Sequence, residues 1–286
     1  MSMHTISARR TSSNQVMPIR RDLKFQLPAD KVTTWHRGSE HLSHFVNTFS
    51  LFLPSGERFF IDAVRAYRYR VEDPVLKEEV MAFIAQEAMH GREHRALNDV
   101  FIAAVPEAEG IERFVTRLLA WLKHNAPRSY RLSGTIALEH FTAILADQVL
   151  SDPRVLEGAD PRYAAMLRWH ALEETEHKAV AFDVWETVMG RGSRAYVLRC
   201  GGLLVATVVF WGIAIPSFLR VLRARGKLGD RAGWRLFKRH FVTETRFLPN
   251  LVKPWATYFR PDFHPWDHDN RHVLSQLDTV LGEGAY

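Results

Sequence analysis

The chain has 286 residues, of which 47% are hydrophobic and 24% charged, a globular balance that excludes a disordered or fibrous protein. A single cysteine, Cys200, excludes a disulfide framework and any thiolate-based zinc or iron–sulfur centre, so only His, Asp and Glu are left to hold a metal. The net charge of +6 is spread along the chain without a helix-turn-helix, zinc-finger or RNP pattern, and no nucleic-acid partner is expected.

Residues 1–21 are poor in apolar side chains and read as a disordered basic tail, neither a secretory signal nor an anchor. From about residue 40, apolar residues recur at intervals of three and four, the spacing of a buried helix face. The first long helix is expected over about 41–70, with a distortion at Pro54-Ser55-Gly56 where proline removes an amide donor. Asp73-Pro74 opens a second that runs to about Val105, since proline in the first turn gives up a donor that has no partner there. A shorter helix at about 110–124 leads into a third long one over 128–151, and Asp160-Pro161 opens a fourth that runs to about Val188. Four long helices with a crossover between the second and third describe an all-α, ferritin-like four-helix bundle over 22–190; a generic all-α domain is the alternative.

Beyond the bundle, an apolar helix is expected over 196–222. Its central stretch, Cys200 to Leu219, is twenty residues without a charge. At 1.5 Å per residue it spans about 30 Å, the thickness of a hydrocarbon core. Arg191, Arg194 and Arg199 precede it; Arg220, Arg223, Arg225 and Lys227 follow. Two readings stand side by side: membrane contact through 200–219, as a transmembrane helix or a monotopic attachment, or a buried or homodimer-forming helix. The chain is accordingly expected to be cytoplasmic or associated with the cytoplasmic membrane. Residues 223–286 form a helical and loop extension.

Each long helix carries acidic or imidazole side chains near its middle. The first offers Glu57, the second Glu87 and His90, the third Glu139, and the fourth Glu174 and His177 with His170 one turn earlier. Positions i and i+3 project to nearly one side of a helix, so each Glu-x-x-His pair can reach one ion. A carboxylate-bridged di-iron or di-manganese site in a bundle needs that pair from two helices and one Glu from each of the others. Two Glu-x-x-His matches alone say little, since this composition gives about 0.9 by chance; their placement on alternate helices carries the information. The bland reading, a solvated acidic stripe, fits poorly with the apolar neighbours Phe83, Ile84, Leu138 and Phe141.

Other polar residues take lesser roles. His94 is read as an outer partner or a packed histidine, and Glu93, Glu173 and Glu176 as groups that orient imidazoles or face solvent. His140, about 100° around the helix from Glu139, should point elsewhere. Asp147 is an outer-layer candidate only. His264, Asp267, His268, Asp269 and His272 form a late cluster in a Pro-bounded loop that is not expected to hold a metal.

The strings LFLPSGERFFIDAVR, FIAQEAMHGREH, ALEHFTA and WHALEETEHKAVAFDV, with YFRPDFHPWDHD near the end, resemble a bacterial family of predicted metal-dependent hydrolases in the ferritin-like superfamily, over roughly 18–270. The His170, Glu174, His177 spacing is also similar to that of di-iron arylamine N-oxygenases, which carry an additional histidine on the fourth helix. That resemblance implies seven metal ligands: Glu57, Glu87, His90, Glu139, His170, Glu174 and His177.

The leading expectation is a non-haem oxidoreductase with two iron ions, or manganese, that activates O₂ with an external electron donor. Its substrate would be a small organic molecule of apolar character. No catalytic residue beyond the ligands can be named. Metal-dependent hydrolysis is the alternative, and metal storage or a membrane-associated scaffold the third.

Overall fold

The computed structural model describes residues 16–276, and these are built from helix and connecting turns. The helices are α1 (Glu40–Ser50), α2 (Leu53–Arg65), α3 (Pro74–Ala104), α4 (Glu107–Asn125), α5 (Arg128–Ser151), α6 (Pro161–His177), α7 (Val180–Met189), α8 (Ser193–Ala224), α9 (Arg231–Lys238) and α10 (Val252–Thr257). No β-strand occurs among the described residues, where one isolated bridge joins His36 to Ala159. The chain is all-α.

Local chemistry sets the ends. Asp73 and Asp160 each accept a hydrogen bond from the amide two residues on, and each precedes a proline that occupies the first helical position of α3 or α6. Two expected helices are each divided in two. The first breaks at Leu51–Phe52, ahead of the Pro54 distortion, because a helix restarting at Leu53 places Pro54 in a first turn where its missing N–H costs nothing. The fourth breaks at Lys178–Ala179, directly after His177. There the buried Lys178 ammonium turns to the His268 carbonyl and Asn270 Oδ1, both at 2.7 Å. Part of the expected tail also belongs to the packed structure. Residues 1–15 lie outside the described region, but Arg21 is nearly buried and pairs with Glu173 and Glu176 of α6.

Helices α2 with α3 and α5 with α6 pack as pairs, and α2 on α5 and α3 on α6 close the set, an arrangement consistent with the expected four-helix bundle. The apolar core is in two parts. One gathers Leu97, Phe101, Trp169 and Leu172. The other gathers Val80, Phe83, Ile136 and Val184. Between them along α3, α5 and α6 lies a belt of buried polar residues.

Helix α8 runs along the outside of this bundle against α1 and α5. Gly202 permits the approach to α5, since a Cβ there would lie 2.0 Å from Ser133 Oγ. The packed stripe of α8 extends from Ala195 and Leu203 to Phe218 and Val221. Its opposite stripe, Val197, Leu204, Val205, Val208 and Ile215, is 50–73% exposed. It is the one described helix long and apolar enough to cross a membrane, and only 22% of its most apolar window is buried.

Candidate metal centre

All seven side chains singled out by sequence converge in the polar belt. Ligand-type atoms of Glu57, His90 and His170, of Glu87, His90 and Glu174, and of Glu87, Glu139 and His177 fall into three groups, each within 4.8 Å. His90 is common to the first two sets and Glu87 to the last two, which follows from the i, i+3 geometry that turns both to one side of α3. His177 Nε2 lies 3.1 Å from Glu87, 3.6 Å from Glu174 and 3.7 Å from Glu139. His90 Nδ1 is 3.7 Å from Glu174 and 3.9 Å from Glu87, and His170 Nε2 is 3.1 Å from Glu174. Glu57 is brought in by a close approach of α2 to α3: a Cβ at Gly91 would stand 2.9 Å from Glu57 Oε2.

Outside this centre, each imidazole is held by a hydrogen bond from one nitrogen that turns the other inward. Gln86 Nε2 donates to Glu176 Oε2 at 2.7 Å and to the Ile19 carbonyl, so its Oε1 faces His177. His177 Nδ1 must therefore donate to that oxygen, at 2.8 Å, and Nε2 is the nitrogen turned to the centre. His90 Nε2 donates to Glu173 Oε2 at 3.1 Å, leaving Nδ1 for the centre. For His170 a longer chain applies. Asn98 Nδ2 donates to Glu112 and to the Ser50 carbonyl, Ser50 Oγ donates to Asn98 Oδ1, His94 Nδ1 donates to Ser50 Oγ, and His170 Nδ1 donates to His94 Nε2. Its consistent polarity turns His170 Nε2 to the centre, 3.1 Å from Glu174.

The carboxylates are less satisfied. Both oxygens of Glu57, Glu87 and Glu139, one of Glu174, and the inward nitrogens of His90 and His177 have no hydrogen-bond partner, although all are buried. Burial, reinforced by the neighbouring glutamates, pushes Glu57 and Glu139 well above the usual carboxylate range. Burial also raises Glu87, against the pull of His177. Glu174 goes the other way: burial opposes its ionisation, but His177 and His170 hold it well below. His177 is raised, the charges of Glu174 and Glu87 outweighing its burial, whereas burial and the neighbouring His170 lower His90 and His94.

A donor set of four carboxylates and three imidazoles, with unpartnered polar atoms turned inward, fits a pair of divalent cations, which would take the place of the His177 proton and whose charge four ionised glutamates would balance.

The remaining sequence readings fall outside this centre. His94 touches His170 and not the carboxylates. Glu173 and Glu176 are anchored by Arg21, and burial raises Glu173 to about 7 against that pairing. Glu93 accepts from the Phe25 amide and from Arg92. His140 turns to the Pro254 carbonyl. Asp147 is drawn away, pairing with His268 and Asn270, and His264 pairs with Asp183, so the late cluster is dispersed among separate partners. Gln86, Ser50, Asn98 and Arg21 were not singled out by sequence. Gln86 carried the one available signal, a polar residue directly before Glu87 on a helix flanked by apolar positions.

An apolar cavity of about 660 Å³ adjoins the centre. His170 and His94 stand at its polar end. Phe49, Phe60 and Phe141 line its body, and Leu118, Val205 and Val209 of α4 and α8 line its outer side. The side chain of His170 is 11% exposed, more than those of Glu174, Glu87 and His177, as expected for a residue that borders the cavity.

A family model described as predicted metal-dependent hydrolase matches residues 19–269, and no curated protein and no solved structure matches the chain. The chain belongs to that family.

Proposed function

As a member of the predicted metal-dependent hydrolase family, this chain is, we propose, a two-metal hydrolase of a small organic substrate. Its ions would be held by Glu57, Glu87, His90, Glu139, His170, Glu174 and His177. The observation that carries the reading is the alignment of three inward-turned imidazoles over four buried carboxylates, seven of whose eight oxygens have no hydrogen-bond partner. Two divalent ions, when bound, polarise an ester or phosphoester and lower the pKa of a water. The chain's own residues do the rest. Gln86, Glu173 and His94 fix the orientation and tautomer of the three imidazoles, so the inward lone pairs stay aimed without rearrangement. Glu57 and Glu139 supply negative charge from the neighbouring helices α2 and α5. The cavity walls hold the apolar part of a substrate and exclude bulk water.

A second reading, O₂-dependent oxidation by a di-iron centre of ferritin-like type, has a specific observation in its favour. The site is enclosed by apolar side chains on its substrate side, a surrounding that protects a reactive oxidant from water. One experiment separates the two. Protein loaded with iron or manganese is assayed against ester, phosphoester and apolar organic panels in air and under nitrogen, with metal content measured in parallel. Hydrolysis is expected to proceed under nitrogen with about two ions per chain. Turnover that requires O₂ would overturn hydrolysis in favour of oxidation. A metal content far above two would point to storage, and none to a scaffold.

A further inference from the structure

The cavity and the exposed apolar surface share residues. Val197, Val205 and Val209 of α8 and Tyr130 line the cavity while being 41–65% exposed, so its outer side opens where α4 and α8 meet the exterior. The two helices run antiparallel there. Gly110 of α4 lies against Arg220, and Tyr130, just past the end of α4, lies against Ser193 and Val197. Helix α4 adds Phe114 and Trp121, 55% and 60% exposed, to the apolar stripe of α8. Contiguous apolar surface of this kind marks a docking site.

Charge selects the occupant. Helix α8 contains no acidic residue. Arg194 stands exposed at one end of the stripe and Arg220 and Arg223 at the other, and among the described residues none of the three enters an ion pair. A second copy docking on this face would set arginine against arginine in either orientation of α8 on α8, because both ends are basic. An anionic lipid surface satisfies both ends and the apolar stripe together. The inner stripe of α8 is packed on the bundle at both ends, from Ala195 to Leu203 and from Ala214 to Leu222, so the helix meets a bilayer lying in its plane rather than crossing it.

We infer that the α4–α8 face seats on an anionic phospholipid surface and that the cavity behind it admits a lipid-soluble substrate to the metal centre. Docking stands independently; the substrate class rests on the proposed two-metal reading.

The test uses the full chain loaded with metal. It is expected to co-sediment with vesicles of phosphatidylcholine mixed with phosphatidylglycerol, and more weakly with phosphatidylcholine alone. Val205→Glu/Val208→Glu should weaken association about tenfold or more with metal content unchanged, since both side chains are exposed. Arg220→Glu/Arg223→Glu, which leaves the apolar stripe intact, should lower binding to the anionic vesicles alone, by at least about fivefold. Protein that stays in the supernatant, or variants that bind as the parent does, would overturn docking; so would a stable dimer in solution that ignores vesicles. For the cavity, Gly201→Phe is informative, because a Cβ at this lining residue meets nothing within 4 Å. It should weaken binding of the neutral fluorophore N-phenyl-1-naphthylamine about tenfold, in metal-free and loaded protein alike. Unchanged probe binding would overturn the substrate class. Failure of the parent to bind metal would sink the two-metal reading and leave the vesicle result standing.

Discussion

The centre of the bundle and the outer face of α8 invert the usual distribution of polarity in opposite directions. Between the two parts of the core, four glutamates and three histidines are buried where apolar packing is the norm. On α8, valine and isoleucine face outward where charge is the norm. Each inversion is costly for the isolated chain: one leaves carboxylate oxygens without partners, the other leaves apolar area in water. On the readings proposed above, cations would complete the centre and lipid the face. The comparison also separates rigid from adaptable design, since each imidazole at the centre is aimed by a named hydrogen bond, whereas the face relies on non-directional burial.

The strongest way to break this contrast is at the ligands. Glu139→Ala or His177→Ala should remove most bound metal, measured by elemental analysis, whereas His140→Ala, whose ring points to Pro254, should leave it unchanged. Equal metal in all three would end the ligand assignment. A chelator should lower the melting temperature of the parent by several degrees or more, because binding to the folded state alone contributes about 4 kcal/mol at a thousandfold excess over Kd; a melting curve indifferent to chelator would remove the cation from the argument. One layer out, Gln86→Ala and His94→Ala should weaken metal affinity roughly 10–100-fold without abolishing it, the range for groups that orient a ligand.

Acid sensitivity sharpens the contrast from outside the centre. Burial lowers His36 to about 3 and His44 to about 4, below an unfolded value near 6.5. Both are neutral in the fold, so their contribution is complete above pH 6.5 and is lost as pH falls toward those values, by at most about 1.4 kcal/mol per pH unit for each. His36→Phe, in a cage formed by Trp35, His240 and Phe241, should therefore resist urea progressively better than the parent as pH drops below 6.5. A constant difference across pH would show that His36 is not the source. The smallest effect is expected on the apolar face. Val208, 73% exposed, can become serine with a change in stability within about 0.5 kcal/mol in vesicle-free solution.

Legibility from sequence follows from how local each feature is. Glu87 with His90, and Glu174 with His177, were readable because one helical turn fixes their common direction, and the single glutamates because helix lengths place them at a matching level. Gln86, Ser50 and Arg21 were not, because each acts through a partner tens of residues away, a relation no helical period encodes. The caps at Asp73 and Asp160 were legible for the same local reason. The break at Lys178 was not, since it accompanies contacts with His268 and Asn270 some ninety residues on. For α8, composition announced an apolar helix but not which side is packed: a stretch hydrophobic all round carries no moment to orient it.

Gly91 brings out a consequence of the way α2 meets α3. At Gly91 the Glu57 carboxylate occupies the space a β-carbon would take, while the α2 main chain at Pro54 stands at ordinary contact distance from that position. A side chain here displaces the Glu57 carboxylate before it presses on the α2 backbone. Position 91 thus holds open the volume into which one acidic arm of the chamber folds, and a substitution there competes with Glu57 for it.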